Sequence, residues 1–280
     1  MLSVKRFIHD YFQNHKEKLA LNYPGLKVHR LVDEFITFHS INEDDIYTGQ
    51  GEDFLTQISN AIPLEYIQNK AYFYRSSFFV DNRVLIPRSE SEILVENALK
   101  FIHESSLEHL NIAEIGIGSF ALGLSILIDT KKSINFWGGD ISDDALDVAK
   151  INLFRHEKQI AMNKKIQLEK CDRLIGMTQK FDLILTNPPY IKEQNDLAGV
   201  HHQTISFEPH LALFLPDDLY DSWFDLLFKD SATNLNDNGL FVMEGHEDHL
   251  RELAQRAEKY FKNVEIIKDY TGRDRFLHGR

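Results

Sequence analysis

The chain of 280 residues and 32.6 kDa is long enough for one large core and a smaller module, so two domains are expected. Its 43% hydrophobic residues are typical of a globular protein, but no apolar run approaches the roughly 20 residues of a membrane span, and the N-terminus lacks the apolar core of a secretory signal. A formal net charge of −12 disfavours unspecific nucleic-acid binding and the single cysteine provides no intrachain disulfide, so we expect a cytoplasmic protein without direct nucleic-acid or membrane contact.

From residue 1 to about residue 65 the sequence has helical periodicity. Apolar residues recur at spacings of three and four in two sets, which are Val4, Phe7, Ile8, Tyr11 and Phe12, then Leu31, Val32, Phe35, Ile36 and Phe38. An acidic stretch with glycines, residues 42–53, interrupts the pattern and is typical of an exposed loop. The pattern predicts a small helical module.

The period changes to two between Ala71 and Ile86. Two segments, AYFYRSSFFV and RVLI, flank Asp81-Asn82, a pair of residue types that favours hairpin turns. We therefore expect a β-hairpin that turns at Asp81-Asn82 and links the helical module to the rest of the chain.

From Leu110 onward, apolar strands alternate with amphipathic helices. LNIAEI, INFWGGDI, IQLEKC and FDLILT are predicted strands, with helices from about Ala121 and from Ala145 to Phe154. A helical region near 219–235 precedes the strand LFVMEG, another helix, and the segments VEIIKD and RFLHGR. This order predicts a parallel sheet covered by helices, with the last two strands antiparallel.

A glycine loop begins at Glu114, where the first of these strands ends. Gly116 and Gly118 permit a tight turn and close approach of a ligand to the backbone. Asp140 ends the next strand, where a carboxylate suits the two hydroxyls of a ribose. The motif alone fits a nicotinamide dinucleotide and S-adenosylmethionine equally. A plain strand-to-helix turn, with Asp140 capping the next helix, is the structural alternative.

The tetrapeptide Asn187-Pro188-Pro189-Tyr190 follows FDLILT, at the sheet edge where ligands bind. Prolines have no backbone N–H, so the Asn187 side-chain oxygen and the Pro188 carbonyl can together accept the two N–H groups of an amide or exocyclic amine. The Tyr190 ring can pack on this flat group. An amide nitrogen is a poor nucleophile, so alignment with an activated methyl group and polarisation of its N–H bonds must provide catalysis. The alternative is a rigid surface turn.

Further segments carry a resemblance to a known family. They are PLEYI from Pro63, VLIPRSESE from Val84, FEPHLAL from Phe207 and GRDR from Gly272. With NPPY, in this order and spacing, they resemble the glutamine N5-methyltransferases of peptide-chain release factors, the HemK/PrmC family, over nearly all of residues 60–280. NPPY alone is less specific, because nucleic-acid adenine methyltransferases share it.

The resemblance implies an α/β fold, a class I S-adenosylmethionine-dependent methyltransferase (Rossmann-like) sheet with a small N-terminal helical domain and a linking β-hairpin. The implied domains are residues 1–68 for substrate recognition, 69–92 for the hairpin linker and 93–280 for methyl transfer. The implied reaction moves a methyl group from S-adenosylmethionine to the side-chain amide nitrogen of the glutamine in the GGQ motif of release factors.

The resemblance also implies the residues of the site. No metal is implied. The catalytic and substrate-binding residues are Asn187, Pro188, Pro189 and Tyr190, and the cofactor-binding residues are Glu114, Gly116, Ile117, Gly118, Ser119, Phe120, Asp140, Ile141, Asp172, Arg173 and Asn187.

Two positions depart from the family pattern. Phe120 stands where the glycine loop usually has a third glycine, and Arg173 follows Asp172 where an aromatic residue that packs near the adenine is common. Other segments, such as Asn69-Lys70-Ala71, are similar to sister enzymes that methylate a glutamine of a large-subunit ribosomal protein. The alternatives are such a ribosomal-protein methyltransferase, a nucleic-acid N6-adenine methyltransferase and a non-catalytic binding protein.

Two histidines, His246 and His249, lie three residues apart near a predicted helix start. Their spacing differs from that of the HExxH zinc motif. We therefore expect a solvated helix N-terminus here and no metal site.

Overall fold

The structure is a computed structural model that describes residues 2–49 and 51–280. It contains two compact units. The first comprises the described part of residues 1–70 with Val200–Glu208, and the second comprises Ala71–Gly199 with Pro209–Arg280. The predicted helical domain includes Met1 and the predicted loop at residues 42–53 includes Gln50, and both positions lie outside the described residues. Among residues 2–49 and 51–280, no helix combines the length and the apolar composition that a membrane span requires.

Helices dominate the first unit, and helices and strands alternate in the second. The helices are α1 (Val4–Asn14), α2 (Lys16–Asn22), α3 (Val28–His39), α4 (Glu52–Ser59), α5 (Leu64–Ile67), α6 (Glu92–Glu104), α7 (Ala121–Asp129), α8 (Asp143–His156), α9 (His202–Phe207), α10 (His210–Leu213), α11 (Tyr220–Asn234) and α12 (Leu250–Ala257). The strands are β1 (Ala71–Phe73), β2 (Ser76–Phe78), β3 (His109–Ile115), β4 (Ser133–Asp140), β5 (Lys164–Lys170), β6 (Phe181–Thr186), β7 (Ile191–Lys192), β8 (Phe214–Leu215), β9 (Leu235–Glu244), β10 (Val264–Lys268) and β11 (Asp274–Gly279).

The first unit buries one apolar stripe of each long helix in a shared core. All ten apolar residues of the two predicted stripes belong to this core or pack against it, which confirms the helical periodicity. The later helix α9 also belongs to this unit, because Gln203 donates to the carbonyl of Ala61 over 2.8 Å and His202 contacts Asn22 over 3.2 Å. Nothing in the sequence pattern indicates that residues 200–208 belong to the first unit.

The second unit is built on a seven-stranded sheet with the order β10-β11-β9-β6-β3-β4-β5. β3 pairs in parallel with β4 and β6, β4 with β5, and β6 with β9, whereas β11 is antiparallel to both of its neighbours. Helices cover both faces. The predicted Rossmann-like α/β fold is confirmed, including the antiparallel pair of the last two strands.

The chain reverses its path across the sheet between β3 and β6. From β3 it proceeds through β4 to β5 at one edge, and it then returns to the other side of β3 with β6. At this point the hydroxyl of Thr186 donates to the carbonyl of Ile115 over 2.8 Å, so the ends of the two strands lie side by side. Parallel α/β sheets bind ligands in the crevice that forms at such a reversal.

Apolar layers cover both faces of the central strands. In β6, Leu183 and Leu185 belong to one layer and Ile184 to the other, and all six residues of the strand are buried. Burial on both faces explains why FDLILT is a nearly continuous apolar run rather than an alternating pattern. The strand is therefore a rigid support for the NPPY segment that follows it.

The predicted hairpin turn was wrong. β1 and β2 pair antiparallel, but they turn at Tyr74-Arg75, with Tyr74 in the left-handed region at φ 54°. Asp81 instead accepts the backbone N–H of Arg83 over 3.1 Å and pairs with the Arg83 side chain over 2.7 Å in a loop beyond the hairpin. The Asp81-Asn82 pair thus does form a local turn, but not between two strands.

Candidate active site

A cavity of about 410 Å³ lies at the carboxyl ends of β3, β4 and β6. Most of the predicted site residues line it. They are Glu114, Gly116, Ile117, Gly118, Ser119, Asp140, Ile141, Asp172, Arg173, Asn187, Pro188 and Pro189. Phe120 and Tyr190 are the two predicted residues outside this lining. The glycine loop and the NPPY segment, which are about 70 residues apart in sequence, therefore share one cavity.

Asp140 fixes the glycine loop from the neighbouring strand. One of its carboxylate oxygens accepts the backbone N–H of Gly118 over 2.9 Å, and the other accepts that of Ser142 over 2.9 Å. Burial raises the pKa of Asp140, and the hydrogen bonds from Ser142, Gly118 and Ile141 oppose this effect. Asp140 lines the cavity, and carboxylate oxygens are the acceptors that two ribose hydroxyls require.

The glycine loop leaves open space beside its backbone. Gly116 and Gly118 have φ values of +70° and +49°, and no atom lies within 4 Å of the position that a Cβ would take at either residue. Residues with side chains adopt this backbone region only at a steric cost. A ligand can thus lie close to the loop backbone at Gly116 and Gly118.

Glu114 is the second carboxylate on the cavity wall. Its residue is 1% exposed, and neither side-chain oxygen has a hydrogen-bond partner among the described residues. Burial raises the pKa of this carboxyl well above its usual range, and the nearby backbone N–H of Gly123 opposes this effect. Glu114 Oε2 lies beside Gly123 at the start of α7, near the rings of Phe120 and Phe136. The Asp140 carboxylate and the open backbone of the glycine loop are the features of this cavity that fit an adenosine-bearing cofactor.

Phe120 turns its side chain away from the cavity. It adopts the left-handed conformation, with φ 65°, directly before α7. Its ring is fully buried and lies 5.3 Å from the ring of Phe136. Because the ring fills the core beneath the loop, a cofactor contact of Phe120 would involve its backbone. For the same reason Phe120 does not narrow the cavity.

Arg173 lines the cavity together with Trp223, a residue that the sequence did not indicate. Its guanidinium lies 5.5 Å above the ring of Trp223 in α11, and both residues line the cavity. Asp172 pairs with this guanidinium over 3.0 Å. The pair thus forms part of the cavity lining at the position where the family pattern commonly has an aromatic residue after the acid.

The side chain of Asn187 is held by its nitrogen. Asn187 Nδ2 donates to the hydroxyl of Ser91 over 3.0 Å, and Ser91 in turn donates to Glu244 Oε2 over 2.5 Å. Asn187 and Ser91 both line the cavity, whereas Glu244 is 1% exposed and lies at the end of β9. With its nitrogen engaged, Asn187 has its side-chain oxygen available as an acceptor.

Tyr190 has a different position from the one we expected. Its hydroxyl donates to Glu244 Oε1 over 2.9 Å, and its ring packs against the apolar layer of the sheet. Burial raises the pKa of Tyr190 well above its usual range, and the nearby Glu244 charge adds to the effect. Because the ring lies outside the cavity lining, the predicted stacking of Tyr190 on the substrate does not fit this geometry.

Sequence reasoning missed Ser91, Trp223 and Glu244. Ser91 lies after Pro87 in the segment that resembles the family, and this position is the one sequence feature that could have indicated it. Trp223 and Glu244 lie in a helix and a strand without a distinguishing motif, and only the packing of α11 and β9 places them near the cavity.

The histidine pair lies elsewhere. His249 Nε2 is 2.9 Å from Asp196 Oδ2, and His246 is near the ring of Tyr190. Within the part of the chain that the structure describes, no group of three histidine, cysteine or acidic side chains is arranged to hold a metal ion.

Comparisons with known proteins identify the family. The family model described as "Methyltransferase small domain" matches residues 90–209. The release factor glutamine methyltransferase of Flavobacterium psychrophilum is 34% identical over 84% of this chain and 81% of that protein. The protein of the same name from Clostridium acetobutylicum is 30% identical over 98% of this chain and 94% of that protein.

A solved structure supports the fold alone. The hMettl16 catalytic domain, in complex with the MAT2A 3'UTR hairpin 6, superposes with a TM-score of 0.56 at 13% identity and covers 72% of this chain and 74% of that chain. The two sequence relatives show more than the fold, because they match 84% and 98% of the chain at 34% and 30% identity. The chain belongs to the family of release factor glutamine methyltransferases.

Proposed function

We propose that the protein transfers a methyl group from S-adenosylmethionine to the side-chain amide nitrogen of the glutamine in the GGQ motif of peptide-chain release factors. The supporting observation is the Asn187 amide, which is held by its nitrogen at Ser91 and leaves its oxygen on the wall of a cavity that also contains the glycine loop. Relatives named for this activity match most of the chain. As the resemblance implies, we assign substrate recognition to residues 1–68, the linker to 69–92 and methyl transfer to 93–280.

The cavity residues divide between the parts of the proposed cofactor. When bound, S-adenosylmethionine supplies an electrophilic methyl group on a sulfonium centre. Asp140 would accept the ribose hydroxyls, and Glu114 would pair with the ammonium group of the methionine portion. Arg173 and Trp223 would stack on the adenine. Asp140 is the strongest of these assignments, because it ends β4, supports the glycine loop and lines the cavity.

The NPPY segment would hold the glutamine. An amide NH2 group has two hydrogens, and the Asn187 side-chain oxygen and the Pro188 carbonyl provide one acceptor each. Both acceptors draw electron density toward the nitrogen, and they hold it in a fixed direction relative to the methyl group. The nitrogen can lose a proton after it has gained positive charge, so a strong base is not needed. Burial raises the pKa of Cys171, which also lines the cavity, so a thiolate nucleophile is disfavoured there.

Labelled S-adenosylmethionine and purified release factor test this function. We expect label in the release factor, and mass spectrometry of the GGQ peptide should show one added methyl group on the glutamine. A release factor in which that glutamine is glutamate should remain unlabelled, since its carboxylate offers no N–H group. Asn187→Ala should abolish transfer, whereas Asn163→Ala, a change at an exposed asparagine, should not. No transfer to release factor, or transfer to ribosomal protein or nucleic acid instead, would reject the proposal.

A further inference from the structure

Glu244 ends a short chain of hydrogen bonds behind the proposed substrate pocket. Its Oε2 accepts the Ser91 hydroxyl over 2.5 Å and its Oε1 accepts the Tyr190 hydroxyl over 2.9 Å. Ser91 accepts from Asn187 Nδ2 over 3.0 Å. Glu244 therefore connects to the first residue of the NPPY segment through Ser91 and to the last residue directly.

The direction of these hydrogen bonds follows from the end group. Burial raises the pKa of Glu244, whereas the hydrogen bonds from Ser91 and Tyr190 and the charge of Arg275 oppose this effect. In its ionised form the carboxylate can only accept, so both hydroxyl hydrogens then point at Glu244. A serine hydroxyl has a single hydrogen, and once this is used only lone pairs remain for Asn187. The Asn187 amide must then turn its NH2 toward Ser91, and its oxygen toward the cavity.

The opposite orientation of the amide would disable the pocket. If the Ser91 hydroxyl donated to Asn187 Oδ1, the NH2 group of Asn187 would face the cavity. A glutamine NH2 group would then meet donors, and the two sets of hydrogens would repel each other. The two orientations have almost the same shape, so packing alone does not select between them.

We propose that Glu244 is a positioning residue that fixes the direction of the Asn187 amide through Ser91, so that Asn187 presents an acceptor and not a donor to the substrate. The effect of Glu244 on methyl transfer rests on the proposed function. The structural part of the inference, the orientation of the Asn187 amide, can be measured independently of activity.

Glu244→Gln is the main test. Glutamine has nearly the same shape but can also donate, so it no longer obliges the Ser91 hydroxyl to point away from Asn187. We expect kcat/KM for release factor to fall about 10- to 100-fold, as is typical when the partner that orients a functional side chain is lost. The affinity for S-adenosylmethionine, measured by calorimetry, should not change. Glu252→Gln makes the same chemical change at an exposed position and should leave kcat/KM unchanged.

Variants of Ser91 provide a second test that does not depend on the folding of the glutamate variant. Ser91→Ala removes the hydroxyl and should lower kcat/KM as much as Glu244→Gln. Ser91→Thr keeps the hydroxyl and should restore activity close to that of the wild type. Ser89→Ala, at an exposed neighbouring serine, is the matched control.

An NMR measurement separates this inference from the proposed function. In protein with 15N-labelled asparagine, the two Nδ2 hydrogens of Asn187 should have well-separated shifts, because one of them is bonded to Ser91; Asn187→Asp assigns the signal. The separation should collapse in Glu244→Gln. If it persists there, or if Glu244→Gln keeps the kcat/KM of an active wild type, the inference is rejected. A wild type that shows the NMR pattern but methylates no release factor would reject only the proposed function.

Discussion

Gly118 donates its backbone N–H to the Asp140 carboxylate over 2.9 Å, so the end of β4 determines the conformation of the loop that follows β3. The same carboxylate accepts from Ser142, the residue that caps α8. The sequence motif indicates only one role for Asp140, which is to bind a ribose. Asp140 also forms the support of the glycine loop.

Asp140→Ala should therefore weaken cofactor binding in two ways, by removing the ribose acceptor and by releasing the loop. Hydrogen bonds to charged groups contribute roughly 1.5–3 kcal/mol each, so we expect an affinity loss of at least about 10-fold for S-adenosylmethionine. Asp140→Asn, which keeps one acceptor, should lose less. Calorimetry measures both affinities, and Asp147→Ala, at an exposed position on α8, is the control. Wild-type affinity in Asp140→Ala would contradict this role.

Glu114→Gln should raise stability and reduce function. Burial raises the pKa of Glu114 well above its usual range, so the folded protein keeps a proton that the unfolded chain releases above about pH 4.3. The free energy of unfolding of the wild type therefore declines as the pH rises above about 4.3. The variant lacks this decline, because glutamine has no charge to bury. We expect a higher melting temperature for the variant at about pH 8, with a difference that shrinks toward pH 4.

The affinity of Glu114→Gln for S-adenosylmethionine should fall, since an amide cannot form an ion pair with an ammonium group. An unchanged affinity would remove Glu114 from the proposed cofactor site.

Phe120 combines an unfavourable backbone with favourable packing. We expect Phe120→Ala to lower the free energy of unfolding by about 3–5 kcal/mol, because a buried ring is lost from beside Phe136. Phe120→Gly should be less harmful by about 1 kcal/mol, since glycine relieves the left-handed strain. Urea unfolding measures the difference between the two variants. If Phe120→Gly were more stable than the wild type, the backbone strain would outweigh the packing.

Asn152 joins the end of the hairpin to the glycine loop. Its fully buried side chain accepts from the Phe79 N–H over 2.7 Å and donates to the Phe79 and Ser119 carbonyls, each over 2.9 Å. Asn152→Ala leaves these backbone groups without partners, at a cost of about 2–4 kcal/mol of unfolding free energy. Thermal unfolding should reveal the loss, and Asn163→Ala, which removes one exposed hydrogen bond to the Lys131 carbonyl, should change stability by less than about 1 kcal/mol. Equal melting temperatures for the two variants would contradict the assignment.

The parts of the site that were predictable are those in which a strand end and a motif coincide. The runs before Gly116 and Asn187 are apolar enough to be recognised as buried strands, and parallel strands bring their carboxyl ends to one edge. The shared cavity follows from these two facts.

The remaining features depend on contacts between distant segments. The hairpin turn was misplaced because Asp81-Asn82 has turn chemistry that is used locally with Arg83, whereas Tyr74 adopts its left-handed backbone without any sequence signal. Glu244 and Ser91 are 153 residues apart, so their hydrogen bond cannot be inferred from spacing. Tyr190 was assigned to the substrate because its motif is in the pocket, but its hydroxyl reaches Glu244.

The position of β11 affects how the protein can be made. It is the last strand in sequence, yet it lies between β9 and β10, and Phe276 and Leu277 are fully buried there. During translation β10 emerges first, but its place at the sheet edge exists only after β11 has joined β9. The sheet can therefore close only after β11 has left the ribosome, so β10 waits for a strand that follows it in the chain.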